Sequence, residues 1–205
     1  MKQKDHLALA YELLRLTGDG PLWEKEGNRR LFLIGCVCPD YLPFTYLRGF
    51  WRGSRMKGHS LPYSAHRIEK TLGRLQKRGV GSRRDCLSLG MLMHYLADSF
   101  TYVHTEGFSG SVGAHRDYED RLHACFKFCR APSRQKLSGA TTDLYRYFRR
   151  AWQEPYGTTP NPRRDCRRIL FFCGIAFLAL TENQNQKGAE SLTKPLRKKA
   201  DGRLF

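Results

Sequence analysis

The sequence has no Cys-x-x-Cys pair, although it contains seven cysteines in 205 residues. Zinc ribbons and related structural zinc sites depend on such pairs, so a site of that class is not expected. An odd number of cysteines in a chain of this length does not resemble a disulfide framework either. We therefore predict that the cysteines are small buried hydrophobic residues in a reducing compartment.

Long hydrophobic runs are also lacking. The longest is ILFFCGIAFLAL, from Ile169 to Leu180, whereas a helix that spans a bilayer needs about 20 apolar residues. This run therefore predicts a buried helix. The amino-terminal MKQKDHLALAYELLRLTGD is interrupted by Tyr11, Glu12 and Arg15, which the apolar part of a secretory signal should not carry. Together these features predict a cytoplasmic protein.

Acidic residues are scarce relative to basic ones. The chain has 36 Lys and Arg against 19 Asp and Glu, which gives a net charge of +17. Such a balance favours nucleic acid, an anionic membrane surface or a phosphate-ester substrate as partner. The alternative is that the excess of Lys and Arg serves only to keep the protein soluble. The last segment, 183–205, has little apolar content. We predict that it is a basic, poorly ordered tail after one domain spanning 1–182.

Strand-like alternation of apolar and polar residues is nearly absent, and helical periodicity replaces it. His6, Ala10, Leu13 and Leu14 share one face of a first helix, predicted from about Asp5 to Leu16. We expect an all-α, single multi-helix domain with a metal cleft between its helices. The other predicted helices are SAHRIEKTLGRLQKRG, the segment from about Arg84 to Thr105, AHRDYEDRLHACFKFCR, TTDLYRYFRRAWQ and CRRILFFCGIAFLALTE. A turn is predicted at Pro39-Asp40 and a loop over 49–64.

The stretch HYLADSFTYVH places polar residues on an apolar helix face. His94 and Asp98 lie four residues apart, so both point the same way, toward the side that carries core residues. His115 and Glu119 repeat this spacing on the next predicted helix, and His104 lies between the two pairs. A single His-x3-Asp pair is usually a surface pair. Two inward-facing pairs and a further histidine predict convergence in the interior.

A divalent metal explains such a cluster. A buried carboxylate is costly unless it is paired or coordinated. Neutral imidazole nitrogens and ionised carboxylate oxygens are ligands that zinc accepts. Since no cysteine is interleaved at ligand spacing, the pattern favours a hydrolytic site with an open water position over a closed structural site.

These motifs resemble the zinc-dependent phospholipase C family, specifically its intracellular branch. The residues that carry the resemblance are HYLADSFTYVH followed by HRDYE, with CPDYLPF and KGHSLPY upstream and DHLALAYELL at the start. It covers about Asp5 to Arg121. It implies an all-helical fold, up to three zinc ions in a cleft and hydrolysis of phosphodiester head groups.

The resemblance also implies a ligand set. The first zinc would be held by Asp40, His59, His94 and Asp98, the second by His104, His115 and Glu119, and a third by His6 with Asp98 as a bridge. Asp40 would also be the general base beside the attacking water. Two zinc ions are therefore expected and a third is possible.

The amino terminus departs from the family pattern. Secreted members complete the third site with a processed amino-terminal residue, usually Trp, whereas this chain has Met1 five residues before His6. The Met1 amine and Asp5 are the candidates for that role here. Of the remaining histidines, His66 is expected to be exposed. His123 is expected to be a partly exposed helical residue or to orient Glu119.

Three functions follow as hypotheses. The first is a zinc-dependent phosphoesterase of phospholipase C type, whose substrate is a phosphate ester such as a phospholipid. The second is a trinuclear zinc nuclease acting on single-stranded nucleic acid, with aromatic residues such as Trp51, Tyr63 and Tyr102 available for stacking. Those nucleases also use an amino-terminal Trp, which is missing here. The third is a non-catalytic, metal-stabilised helical adaptor that docks through KPLRKKADGR on acidic lipid or nucleic acid.

Overall fold

The computed structural model of the chain describes residues 1–18, 20–41, 61–105, 107–137, 143–154 and 160–192. For residues 62, 63 and 183–192 it describes the backbone only. The helices are α1 Gln3–Thr17, α2 Pro21–Glu24, α3 Glu26–Tyr41, α4 Leu61–Arg78, α5 Arg83–Ser99, α6 Val112–Phe126, α7 Arg134–Leu137, α8 Leu144–Gln153 and α9 Pro162–Leu192. A short 3-10 turn, η1, covers Tyr102–His104. These ranges contain no strand, which confirms the all-α prediction.

Side-chain caps mark the starts of α5, α6 and α8. At the start of α5, the Ser82 hydroxyl accepts a hydrogen bond from the Asp85 backbone, and the Asp85 carboxylate accepts one from the Ser82 backbone. Ser111 caps α6 and Asp143 caps α8 in the same way through their side-chain oxygens. Each cap satisfies an amide that the first turn of a helix leaves unpaired.

The core lies around α5, whose residues from Leu92 to Ser99 are all buried. Helix α3 packs directly against it, backbone to backbone, at Gly35 and Gly90. Helices α1, α4 and α9 surround this pair. The run predicted as a buried helix is the central part of α9, where Ile169, Cys173 and Phe177 are inaccessible to solvent. No helix in the described ranges combines the length and apolar composition needed to cross a bilayer.

The predicted turn at Pro39-Asp40 is wrong, because α3 continues to Tyr41 and includes both residues. Pro39 lies in the last turn of the helix, where the loss of one amide donor interrupts only one hydrogen bond. Asp40 is consequently held on a helix. The predicted loop over 49–64 lies outside the described residues up to 60, and 61–64 are the first turn of α4.

The helix predicted to reach Thr105 ends at Ser99 instead. In a continuous helix the Tyr102 amide would donate to the Asp98 carbonyl, but here it donates to the Asp165 carboxylate at 2.7 Å. The Asp98 carbonyl accepts from Thr101 instead. A residue far away in the sequence therefore redirects the chain into η1, an effect that local periodicity does not reveal.

At the other end of the chain, α9 extends to Leu192, beyond residue 183 where the tail was predicted to begin. Residues 193–205 lie outside the described ranges. The division into a domain of 1–182 and a tail of 183–205 stays a prediction.

Candidate metal centre

Helix α5 carries the centre of the site, because His94 and Asp98 stack on its buried face one turn apart. Each is only 1 % exposed. The His94 Nε2 atom lies 3.3 Å from Asp98 Oδ2. The polar pair therefore points into the core, as the sequence pattern indicated.

A backbone carbonyl from α3 fixes the orientation of His94. The Nδ1 atom of His94 lies 2.9 Å from the Cys36 carbonyl oxygen, which can only accept, so Nδ1 carries the proton. Nε2 then faces the centre, 3.5 Å from Asp40 Oδ1. Metal-ligating histidines commonly donate their second nitrogen to such an acceptor. Sequence reasoning missed Cys36 because a backbone carbonyl leaves no signal in residue identity.

Helix α1 brings His6 to the same place. The His6 ring stacks on the His94 ring with centroids 3.9 Å apart, and its Nε2 lies 3.3 Å from Asp98 Oδ1. Within the described ranges neither ring nitrogen has a hydrogen-bond partner, although both are buried. Burial, together with the neighbouring His94, lowers the pKa of His6 to about 3. The imidazole is therefore neutral at physiological pH, which is its metal-binding form.

A second group lies beside the first, where η1 meets α6. The ligand atoms of His104, His115 and Glu119 all lie within 4.8 Å of one another. His115 Nε2 is 3.2 Å and His104 Nε2 is 3.8 Å from Glu119 Oε1. The break after α5 is what makes this possible: six residues of continuous helix would carry His104 about 9 Å beyond Asp98 and onto another face.

Asp98 joins the two groups through its two oxygens. Oδ2 faces His94, while Oδ1 lies 3.3 Å from His6 Nε2 and 3.7 Å from His104 Nε2. The Met1 ammonium lies beside the same oxygen at 2.8 Å and is 3.1 Å from Glu119 Oε1. Positive charge is therefore drawn to the point where the carboxylates converge.

The protonation states of these residues suit cation binding. Burial by itself raises the pKa of Asp98, but the Met1 ammonium and the surrounding imidazoles hold it well below its usual range. Burial likewise disfavours charge on Met1, yet Asp98 and Glu119 raise the pKa of its amine to about 11. For His104, burial lowers the pKa. Asp98 is thus ionised, and His6 and His104 are neutral.

The spacing of the ligand atoms fits zinc. Four ligands around an ion at about 2.1 Å in tetrahedral geometry are separated from one another by about 3.4 Å. His94 Nε2 lies 3.5 Å from Asp40 Oδ1 and 3.3 Å from Asp98 Oδ2, and His6 Nε2 lies 3.3 Å from Asp98 Oδ1. The ligand atoms of His6, His94 and Asp98 all lie within 4.8 Å of one another. The separations that join Glu119 to His104 and His115 are 3.8 and 3.2 Å, respectively. Imidazole nitrogen and carboxylate oxygen are also the donor types that zinc takes.

The structure therefore brings together Asp40, His94, Asp98, His6, His104, His115 and Glu119. The eighth predicted ligand, His59, lies outside the described residues. The assignment of these residues to particular ions stays a prediction.

Asp5 and His123 pair with each other across α1 and α6. The Asp5 carboxylate does not join the metal ligands but turns to His123, with Oδ1 and Nδ1 2.5 Å apart. His123 is 19 % exposed in its side chain. It is therefore a partly exposed helical residue, as predicted, and it pairs with Asp5 of α1. The sequence signal was weak, since only the four-residue spacing from Glu119 placed His123 on the inner side of α6. His66 is exposed, as predicted.

A known protein family matches most of the chain. A family model described as zinc dependent phospholipase C matches residues 5–161, more than half of the chain. No curated protein matches the chain, and no solved structure does. The matched range contains all eight predicted ligands and ends just before α9 begins at Pro162.

Proposed function

This chain belongs to the zinc-dependent phospholipase C family, and we propose that it is a zinc-dependent phosphoesterase that hydrolyses a phosphodiester with an activated water. The observation that supports this most directly is the position of Asp98. Its two oxygens face two adjacent sets of imidazoles and carboxylates at ligand spacing. Such an arrangement suits a carboxylate shared by two neighbouring ions, the first beside His94 and the third beside His6, as in phosphoesterases with more than one metal.

We propose the following ligands. Asp40, His94 and Asp98 hold the first zinc together with His59, and His104, His115 and Glu119 hold the second. A third ion, where it binds, uses His6 and Asp98. When bound, zinc supplies a Lewis acid for the phosphoryl oxygens and lowers the pKa of a coordinated water toward neutrality.

The residues of the chain supply orientation and proton transfer. Asp40 acts as the general base that orients the water and accepts its proton; its side chain is 13 % exposed at the end of α3, so that water has access to it. His94 is fixed by the Cys36 carbonyl. The burial of Asp98 excludes water from the bridge between the two ligand groups and strengthens electrostatic attraction there.

A phospholipid is the proposed substrate class, because the family acts on phosphodiester head groups. The net charge of +17 supports attraction of an anionic substrate and peripheral contact with an anionic membrane. We also propose a cytoplasmic location, because the longest apolar run, Ile169 to Leu180, is too short to span a bilayer.

The test combines metal analysis with two substrates. The purified chain is stripped with a chelator, reloaded with zinc and analysed for zinc per chain. Its turnover is then measured on phosphatidylcholine vesicles and on single-stranded DNA. We expect about two zinc ions per chain and hydrolysis of the phospholipid.

Two variants separate catalysis from general damage. Asp40→Asn should lower kcat by at least about 100-fold, since it removes the base. Asp117→Asn is the matched control, because Asp117 is an exposed carboxylate of α6 that faces away from the site. Less than one zinc per wild-type chain would rule out the proposal, and cleavage of DNA alone would replace it with the nuclease hypothesis.

A further inference from the structure

Asp165 is a buried carboxylate in α9, far from the metal ligands in sequence. It is 0 % exposed. Its Oδ2 atom accepts two hydrogen bonds, from the Tyr102 backbone amide at 2.7 Å and from the Tyr118 hydroxyl at 2.5 Å. One carboxylate oxygen therefore ties together η1 and α6, two segments separated in sequence by a glycine-rich loop.

Both donors lie next to proposed ligands of the second zinc. Tyr102 begins η1, which ends at His104. Tyr118 precedes Glu119 and follows His115 by three residues on α6. The two tyrosine rings also contact each other, with centroids 5.6 Å apart. The position of η1 relative to α6 is thus fixed from behind by Asp165.

The contact with Tyr102 has a direct geometric effect. It takes the amide that would otherwise continue α5 by donating to the Asp98 carbonyl. Because the helix ends, His104 can turn back until its Nε2 lies 3.7 Å from Asp98 Oδ1. An uninterrupted helix would place that imidazole about 9 Å farther along the axis.

The buried position of Asp165 is unfavourable for folding. Burial raises its pKa to about 6, although the bonds from Tyr118 and Tyr102 and the nearby Arg164 and Arg168 act in the opposite direction. Within the described ranges its second oxygen is buried without a hydrogen bond. A carboxylate retained in a setting that disfavours its charge is typical of residues kept for function instead of stability.

We propose that Asp165 is the positioning residue of the second metal group, setting the geometry of His104 relative to His115 and Glu119 and thereby the affinity of that group for its ion. This inference rests on the proposed function. It goes beyond the family match, since that match ends at residue 161 and Asp165 follows it. The sequence carried one signal: Asp165 shares the apolar face of α9 with Ile169 and Cys173.

The test measures metal affinity directly. Stepwise zinc dissociation constants are determined by competition with a chromophoric chelator, and cobalt(II) serves as a spectroscopic probe of coordination. Glu119→Gln identifies which constant belongs to the second group. Asp165→Asn and Tyr118→Phe should each weaken that constant about 10- to 100-fold and leave the other within threefold.

Two controls match these substitutions in chemistry. Asp143→Asn removes a carboxylate that caps α8, and Tyr147→Phe removes a hydroxyl on the same helix. Both should bind both ions like wild type. In the double variant Asp165→Asn/Tyr118→Phe, the zinc affinity of the second group should stay within threefold of that of the weaker-binding single variant. The two effects should not add, because both substitutions break the same connection.

Each outcome decides the matter. If Asp165→Asn and Tyr118→Phe bind both ions within threefold of wild type, the positioning role is overturned while the proposed function stands. Equal loss at both ions with a lower unfolding midpoint also overturns it, since that is the effect of a purely structural residue. If wild type binds no zinc, the proposed function fails and this inference fails with it.

Discussion

Gly35 and Gly90 allow α3 and α5 to touch through their backbones. A Cβ atom on Gly90 would lie 2.2 Å from the Phe32 carbonyl oxygen and 2.8 Å from the Cα of Gly35. A Cβ atom on Gly35 would lie 2.3 Å from the Leu87 carbonyl oxygen. Only glycine fits at either position without separating the helices. The close approach is what brings the Cys36 carbonyl and Asp40 to His94.

We expect Gly90→Ala to force α3 away from α5. Overpacking a tight core contact costs about 1 to 3 kcal/mol, and the shift should also weaken zinc binding because it separates Asp40 from His94. Chemical denaturation and zinc titration measure the two effects. Gly73→Ala is the matched control: it lies within α4 with open space around its Cβ position, so it should leave stability unchanged or raise it by up to about 1 kcal/mol. Equal behaviour of the two variants would contradict the close-packing account.

Asp98→Asn should remove the shared carboxylate of the metal centre. An amide cannot carry the charge that two neighbouring ions require, so we expect both zinc stoichiometry and the zinc-dependent gain in thermal stability to fall. Elemental analysis and thermal unfolding with and without zinc provide the measurements. Asp117→Asn, on the exposed side of α6, should retain both properties. Retention of two zinc ions by Asp98→Asn would show that the bridging role is wrong.

The contact between Asp5 and His123 should hold α1 against α6. His123→Ala leaves the Asp5 carboxylate buried at 1 % exposure without its partner, which should lower the free energy of unfolding by about 1 to 3 kcal/mol. Because Asp5 precedes His6, we also expect weaker binding at the His6 position. A double-mutant cycle with Asp5→Asn measures the coupling. His66→Ala, at an exposed histidine, is the control; additive effects of the two changes would argue against a direct contact.

Asp165 should give the metal-free protein a characteristic pH dependence. Its pKa is raised from 3.8 to about 6 in the folded state, chiefly by burial, so the folded protein binds the proton more tightly than the unfolded chain. The associated stability is fully present below about pH 4 and is lost as the pH rises through 6. A shift of about 2 pKa units corresponds to roughly 3 kcal/mol.

Asp165→Asn provides the comparison, since the amide does not titrate. The difference in free energy of unfolding, variant minus wild type, should increase by roughly 3 kcal/mol between pH 4 and pH 7. Urea denaturation in the presence of a chelator measures it. Arg164, Arg168 and Tyr118, which face Asp165, are unchanged in both proteins. Parallel stability curves for the two proteins would contradict the raised pKa.

Much of the centre could be predicted from local sequence pattern. The four-residue spacings of His94 with Asp98 and of His115 with Glu119 fix those pairs on common helix faces, whatever the tertiary structure. The periodicity of the first helix likewise placed His6 with Ala10 and Leu13, which are buried. These predictions succeeded because helix geometry depends on neighbours within one or two turns.

The errors occurred where a distant contact overrides local preference. Pro39 indicated a turn, yet the packing of α3 on α5 keeps the last turn helical through Tyr41. The apolar run after Asp98 indicated more helix, yet Asp165 captures the Tyr102 amide and ends it.

The sequence by itself determined the all-helical class, the inward-facing polar residues and the resemblance to the family that the match confirms. Tertiary structure alone decided that His104 returns to Asp98, that the Cys36 carbonyl orients His94, and that Asp5 turns to His123. The physical reason is the range of the interactions. Helix faces are set by hydrogen bonds four residues apart, whereas these contacts join residues 6, 58 and 118 positions apart, and their partners become neighbours only when the helices pack.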